Sequence, residues 1–138
     1  MLVSGHREFD FEELATANFA LQGGASLFAT GRDPTLPMPG GALPGTGATL
    51  AAVETASGRR AEIGGKPEPY LFQRALSLIP EAKRVAMVGD RIASDIDGGR
   101  RAGLETVLVL SGDTTREQAE AADPGPDHVV DDLTGLLG

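Results

Sequence analysis

The chain has 138 residues, 41% apolar and 23% charged, with 12 basic against 20 acidic side chains and a formal charge of −8. That length and balance suit one compact globular domain with a real core and exclude extensive disorder, while the acidic excess excludes the basic footprint of a nucleic-acid or anionic-membrane binder. The absence of cysteine removes disulfides, thiolate zinc sites and cysteine nucleophiles, and no apolar run approaches the roughly 18 residues of a membrane span. The first residues turn acidic by Glu8 and lack the apolar core of a signal peptide, so the expected location is cytoplasmic.

Short apolar runs alternate with helical patterns, the signature of an α/β fold with parallel sheet. "MLVSG" reads as a strand, and Asp10 with Glu13 gives a capping-box-like start to a helix reaching about Gln22. "SLFAT" is a second strand. Between Gly31 and Gly45 four prolines predict a long loop without regular structure. "TGATLAAVETAS" then forms a helix stopped by Gly58. These elements make a first block over about residues 1–62.

The second block, about 63–138, opens with "AEIGG", a short strand ending at Lys66. Pro67 and Pro69 suit the first turn of a helix that presents Leu71, Phe72, Ala75, Leu76 and Ile79 on one face, and Pro80 ends it. "RVAMVGD" carries an uninterrupted apolar run of the kind buried on both faces of a parallel sheet. A helix to about Ala102, the strand "TVLVLSG", a helix from about Thr115 to Ala122, the strand "DHVV" and a short helix "DLTGLL" complete the block.

Chemistry concentrates after "RVAMVGD". Asp95, Ile96, Asp97 and Gly98 spell Asp-x-Asp-Gly, a nucleophile-loop pattern, but such a loop needs its first Asp at a strand end, and the strand ends five residues earlier at Asp90. The match is therefore read as coincidental. Asp90 follows a glycine at a strand end and Asp95 begins a helix, a spacing that can aim two carboxylates at one hard cation; an aspartate ending a strand is also often only a helix cap, and both readings stand on the motif alone. Lys66, in "GGKPEP", adds a positive point charge suited to phosphate or carboxylate at the same end of the sheet. It is no P-loop lysine, because Pro67 stands where Ser or Thr is required. Arg91 beside the motif reads either as a substrate contact or as half of an ion pair. His6 and His128 read as surface or structural, "PGTGATL" as a helix start, Arg100 and Arg101 as solvated charge, and Asp113 to Thr115 as a helix cap.

"GKPEP" with "GDRIASDIDGGRRAG", supported in order by "VSGHREFDFEELATA", "FATGRDPTLPMPGG" and "PGTGATLAAVETASGR", resembles the haloacid-dehalogenase superfamily. The match is to the C-terminal half of its 4-nitrophenylphosphatase/NagD-like phosphatases with a large α/β cap. The resemblance implies that residues 1–62 are the second half of the cap and residues 63–138 the second half of a Rossmann-like core. It implies a magnesium-dependent phosphatase of small phosphorylated metabolites, with Lys66 and Asp90 catalytic and Asp90 and Asp95 holding Mg2+. It further implies substrate contacts at Lys66, Thr30, Asp33 and Arg91. In that family an Asp attacks phosphorus to give an aspartyl-phosphate that water hydrolyses.

Two departures qualify the match. The motif bearing that Asp, and the strand-end Ser or Thr of the second motif, would lie upstream of Met1, so the chain is expected to be inactive alone. The cap loop has Thr30, Gly31, Arg32 and Asp33 where the subgroup commonly has Thr-Asn-x-Asp. An unpaired buried-type edge at "VAMVGD" predicts self-association or dependence on the missing N-terminal half. A non-catalytic binding module and one half of a two-chain enzyme are the alternatives.

Overall fold

The computed structural model describes residues 1–137. The chain divides into two compact units, Met1–Gly65 and Lys66–Gly138.

In the first unit a parallel three-stranded sheet has the order β1 (Leu2–Val3), β2 (Phe28–Ala29), β5 (Glu62–Ile63). Helix α1 (Phe11–Gln22) starts where its chemistry demands: the Asp10 carboxylate accepts the Glu13 N–H, filling one of the donors a helix start leaves unpaired. Helix α2 (Thr46–Ser57) ends at Gly58, as expected from the sequence. Val3, Ala17, Leu21, Leu27, Ala29, Leu50 and Val53 form one buried cluster from the strands and both helices.

The proline-rich stretch is not irregular. It forms a hairpin, β3 (Thr35–Met38) with β4 (Gly41–Pro44), around a Pro39-Gly40 turn in which Gly40 takes a left-handed φ of 92°. The prolines fit because of register. The Gly45 N–H donates to Pro34, and bonded and non-bonded pairs alternate along an antiparallel ribbon, so Pro37 and Pro44 fall where a backbone N–H would point outward. The strand read in "AEIGG" is also reassigned. It is β5, it pairs with β2, and the first unit runs to Gly65 rather than to residue 62.

The second unit holds another parallel sheet, of order β6 (Ala86–Gly89), β7 (Glu105–Val109), β8 (His128–Val130). Central β7 buries Thr106 to Val109. β6 has one neighbour, so "VAMV" is not buried on both faces but forms the unpaired edge expected at "VAMVGD", leaving Ala86 exposed and Met87 and Val88 half-buried. Helix α3 (Tyr70–Ser77) likewise buries only Phe72 of its predicted apolar face, and Leu71 and Ile79 are exposed. After β6 comes a π-helical turn (Ile92–Ile96), α4 (Asp97–Arg101) and, beyond β7, α5 (Arg116–Ala121), which opens with a reciprocal Thr115–Gln118 capping box. A short 3-10 turn, Leu133–Leu136, ends the described fold.

Candidate functional site

The carboxyl end of β6 gathers four of the residues singled out by the sequence. Asp95 lies in the π-helical turn, where the Ile96 N–H reaches back five residues to the Arg91 carbonyl. The wide turn swings its carboxylate over the strand end. Oδ2 accepts the N–H groups of Asp90 and Arg91, both at 3.1 Å, and Oδ1 accepts from Lys66 Nζ. Asp95 is only 3% exposed, so this buried carboxylate is held by an ammonium and two backbone dipoles. Gly89 makes room: a Cβ there would sit 2.4 Å from Asp95 Cβ and Cγ. Lys66 has two further donors on Nζ, and its side chain is half exposed.

Asp90 is held differently. Its Oδ2 accepts the Asp113 N–H at 2.9 Å and its carbonyl accepts the Thr114 N–H at 3.1 Å, tying the loop after β7 to the end of β6. Among the described residues no hydrogen bond reaches Oδ1. The Arg91 Nε lies 3.2 Å from Asp113 Oδ2, so of the two readings of Arg91 the ion pair is present. These residues fit a hard cation unequally: Asp90 has an oxygen to present, whereas both oxygens of Asp95 already accept hydrogen bonds. No group of three His, Cys, Asp or Glu side chains poised for a metal occurs among the described residues.

Thr30 and Asp33 share the loop after β2 in the first unit. Thr30 Oγ1 donates to Ser4 Oγ at 3.3 Å, and the Asp33 carbonyl accepts the Gly47 N–H at the start of α2. Between them Arg32 makes a bidentate pair with Glu54, at 3.0 and 2.8 Å. Glu54 also accepts from Arg60 at 3.0 Å and from the Ala61 N–H at 2.8 Å, and these partners, led by Arg32, hold its pKa down at about 2 against burial. The sequence reading passed over Glu54. Its signal is a glutamate four residues after Leu50 on the apolar side of α2.

The remaining motifs fall into place as structure. Asp97 pairs with Arg100, and Gly98 lies in α4 against Phe72, so the Asp-x-Asp-Gly string is helical and not a strand-end loop. Arg100 is more than solvated charge, because it donates to the carbonyls of Pro124 and Gly125 and pins the loop before β8. His6 pairs with Glu13 and His128 with Glu105 on the surface. Thr115, not Asp113, caps α5; Gly112, Asp113 and Thr114 instead close on Asp90, which the sequence reading missed although the Ser-Gly after a strand marks a possible close backbone approach.

A family model described as HAD-hydrolase-like matches residues 63–136, just over half of the chain. The chain belongs to the HAD-hydrolase-like family. This HAD-like chain is 41% identical over 148 aligned residues to chronophin of Mus musculus, covering 99% of the chain and 50% of that relative. Among solved structures it matches the 4-nitrophenylphosphatase of Thermotoga maritima with a TM-score of 0.91 and 35% identity, over 98% of this chain and 52% of that one. The glycerol phosphate phosphatase of Mycobacterium tuberculosis, solved in complex with magnesium, matches with a TM-score of 0.90 and 35% identity, over 98% and 41%. The chain thus spans about half the length of the relatives it matches. The resemblance carried by "GKPEP" and "GDRIASDIDGGRRAG" is borne out, and the mixed α/β architecture with parallel sheets is that of these HAD-fold neighbours.

Proposed function

We infer that the chain forms the cation- and phosphate-facing part of a magnesium-dependent phosphatase acting on small phosphomonoesters in the cytoplasm. The observation that carries this reading is the arrangement of Lys66, Asp95 and Asp90 at the carboxyl end of β6, where one buried carboxylate steadies an ammonium and another presents an oxygen that accepts no hydrogen bond among the described residues. Magnesium, when bound, offsets the charge of the transferring phosphoryl group. Asp90 would hold it through Oδ1. Asp95 contributes charge nearby and fixes Lys66, whose two remaining Nζ donors face the anionic phosphate oxygens. Thr30 and Asp33 are the substrate contacts of the first unit, the cap half, and Arg91, tied to Asp113, is a further contact beside the metal motif. The names of the relatives, a 4-nitrophenylphosphatase and a glycerol phosphate phosphatase, support a small phosphomonoester as substrate.

No strand end among the described residues carries Asp-x-Asp-Gly, so the attacking carboxylate comes with a further strand added at the free edge of β6, and the chain alone is inactive. The test joins the chain to the uncovered half of the Thermotoga maritima relative and follows phosphate release from 4-nitrophenyl phosphate with Mg2+. Release only in the joined form, abolished by Asp90→Asn with the helical circular dichroism intact, is the expected result. Equal turnover by Asp90→Asn, or none by any joined form that folds, overturns the reading.

A further inference from the structure

Glu54 lies where most of the positive charge of its unit gathers. Residues 1–65 hold four basic side chains, Arg7, Arg32, Arg59 and Arg60, and the last three surround this one carboxylate. Arg32 alone spans both oxygens of Glu54 with its fork, at 3.0 and 2.8 Å, and so neutralises the buried charge. Arg60 adds a single bond from Nη1 at 3.0 Å, with its side chain 85% exposed. Arg59 follows the left-handed Gly58, and among the described residues its guanidinium has no hydrogen bond or ion pair. Both arginines line an open cleft of about 290 Å³ at the end of α2, together with Glu54, Thr55 and Gly58. The Thr55 hydroxyl has no partner among the described residues either.

We propose that this cleft is a binding site for a phosphate group, held by Arg59 and Arg60 with the Thr55 hydroxyl. The charge balance favours an anion. Arg32 satisfies Glu54, so the whole Arg59 guanidinium and all but one of the Arg60 N–H groups remain available as donors. The end of α2 contributes only about half an elementary charge of the opposite sign, which two guanidiniums outweigh. Two neighbouring forks and a hydroxyl offer donors in more directions than a planar carboxylate presents, and they suit the tetrahedral oxygens of a phosphate. The cleft stands at the small end of ligand pockets, which run upward from about 300 Å³, so it takes a phosphate ion or a small phosphomonoester and no large ligand. Arg60 is shared between the cleft and Glu54, so a bound phosphate competes for a guanidinium that helps to hold the partner of Arg32, in the loop of Thr30 and Asp33. The site is built within the first unit and does not depend on the cation reading of Asp90.

Inorganic phosphate and, in a parallel series, acetate are titrated into the isotope-labelled full chain and followed by two-dimensional NMR. The pH and ionic strength are held constant, because salt screens exposed guanidiniums. Saturable shifts of the Thr55, Gly58, Arg59 and Arg60 amides are expected with phosphate, at concentrations where acetate produces none. Arg59→Gln removes a charge that bonds nothing else in the fold and is expected to weaken phosphate about threefold, the worth of one exposed charged pair; Arg60→Gln is expected to do the same. Shifts that never saturate, equal saturation by acetate, or phosphate affinity unchanged in Arg59→Gln overturns the site. Saturation confined to amides around Lys66 and Asp90 overturns it too and leaves the phosphatase reading standing. Should Arg60→Gln fail to fold, Arg59→Gln decides alone.

Discussion

Replacing Glu54 by Gln tests whether the loop bearing Thr30 and Asp33 is held from beneath by a single buried charge. Glu54 is 7% exposed and takes four hydrogen bonds, two from Arg32, one from Arg60 and one from the Ala61 N–H. Holding its pKa at about 2 rather than 4.5 corresponds to about 3 kcal/mol of preference for the charged form. Because Arg32 is half exposed and Arg60 mostly so, part of that attraction is screened, and we expect Glu54→Gln to cost about 2 kcal/mol. For a unit of this size that is a fall in Tm of roughly 10 °C. The pH dependence has a definite sign. A carboxyl whose folded pKa lies below its unfolded value stabilises the fold above about pH 4.5, and that stability drains away as pH falls from there towards about 2. Hydrogen exchange at the Glu62 and Gly64 amides, which bond across to Leu27 and Ala29, reads the first unit alone. Wild-type protection is expected to fall through that acid window, with the Gln variant weaker at neutral pH and flatter below it. Equal protection of the two proteins at pH 7, or the same acid decline in both, would refute the reasoning.

Lys66→Met strips the ammonium from buried Asp95 but leaves its two backbone donors; it is expected to destabilise the second unit by about 1–3 kcal/mol, measured by urea unfolding, and to reduce phosphate release by the joined enzyme far more than substrate affinity. Thr106, fully buried on β7, exchanges hydrogen bonds with Asp127 through its hydroxyl, so Thr106→Val is expected to lower stability by about 1 kcal/mol and to loosen amide protection around residue 127. The open edge of β6 predicts concentration-dependent self-association of the isolated chain in sedimentation velocity, reduced by Ala86→Lys, which places a charge at its exposed end. A monodisperse wild-type monomer with a cooperative thermal transition counts against that edge being adhesive.

Local chemistry made much of this protein legible in advance. Asp10 with Glu13, Gly58 and the Thr115–Gln118 box mark helix ends through backbone donors and acceptors a few residues apart, and such signals survive without tertiary context. Lys66, Asp90 and Asp95 were also readable, because a strand end followed by a helix start places its polar residues at one end of a sheet whatever else the chain does. How those groups bond was not readable. That Asp95 turns inward to Lys66 depends on the π-helical turn, and that Asp90 keeps one oxygen clear depends on a loop 22 to 24 residues further along the chain.

Other outcomes turned on pairing partners that no local pattern encodes. The prolines of residues 31–45 fit a hairpin because register sends two of them to its outer edges, and "AEIGG" joins the first sheet because β2 offers it a parallel neighbour. Composition fixes which residues prefer burial; only the assembled sheet decides which strand gets a second neighbour. For this reason β7 is buried while the equally apolar β6 is an edge. The sequence by itself determined the α/β class, the helix ends and the charged groups of the site. The tertiary structure decided which donors each carboxylate oxygen meets, because hydrogen bonds to buried charges are made across the fold and not along the chain.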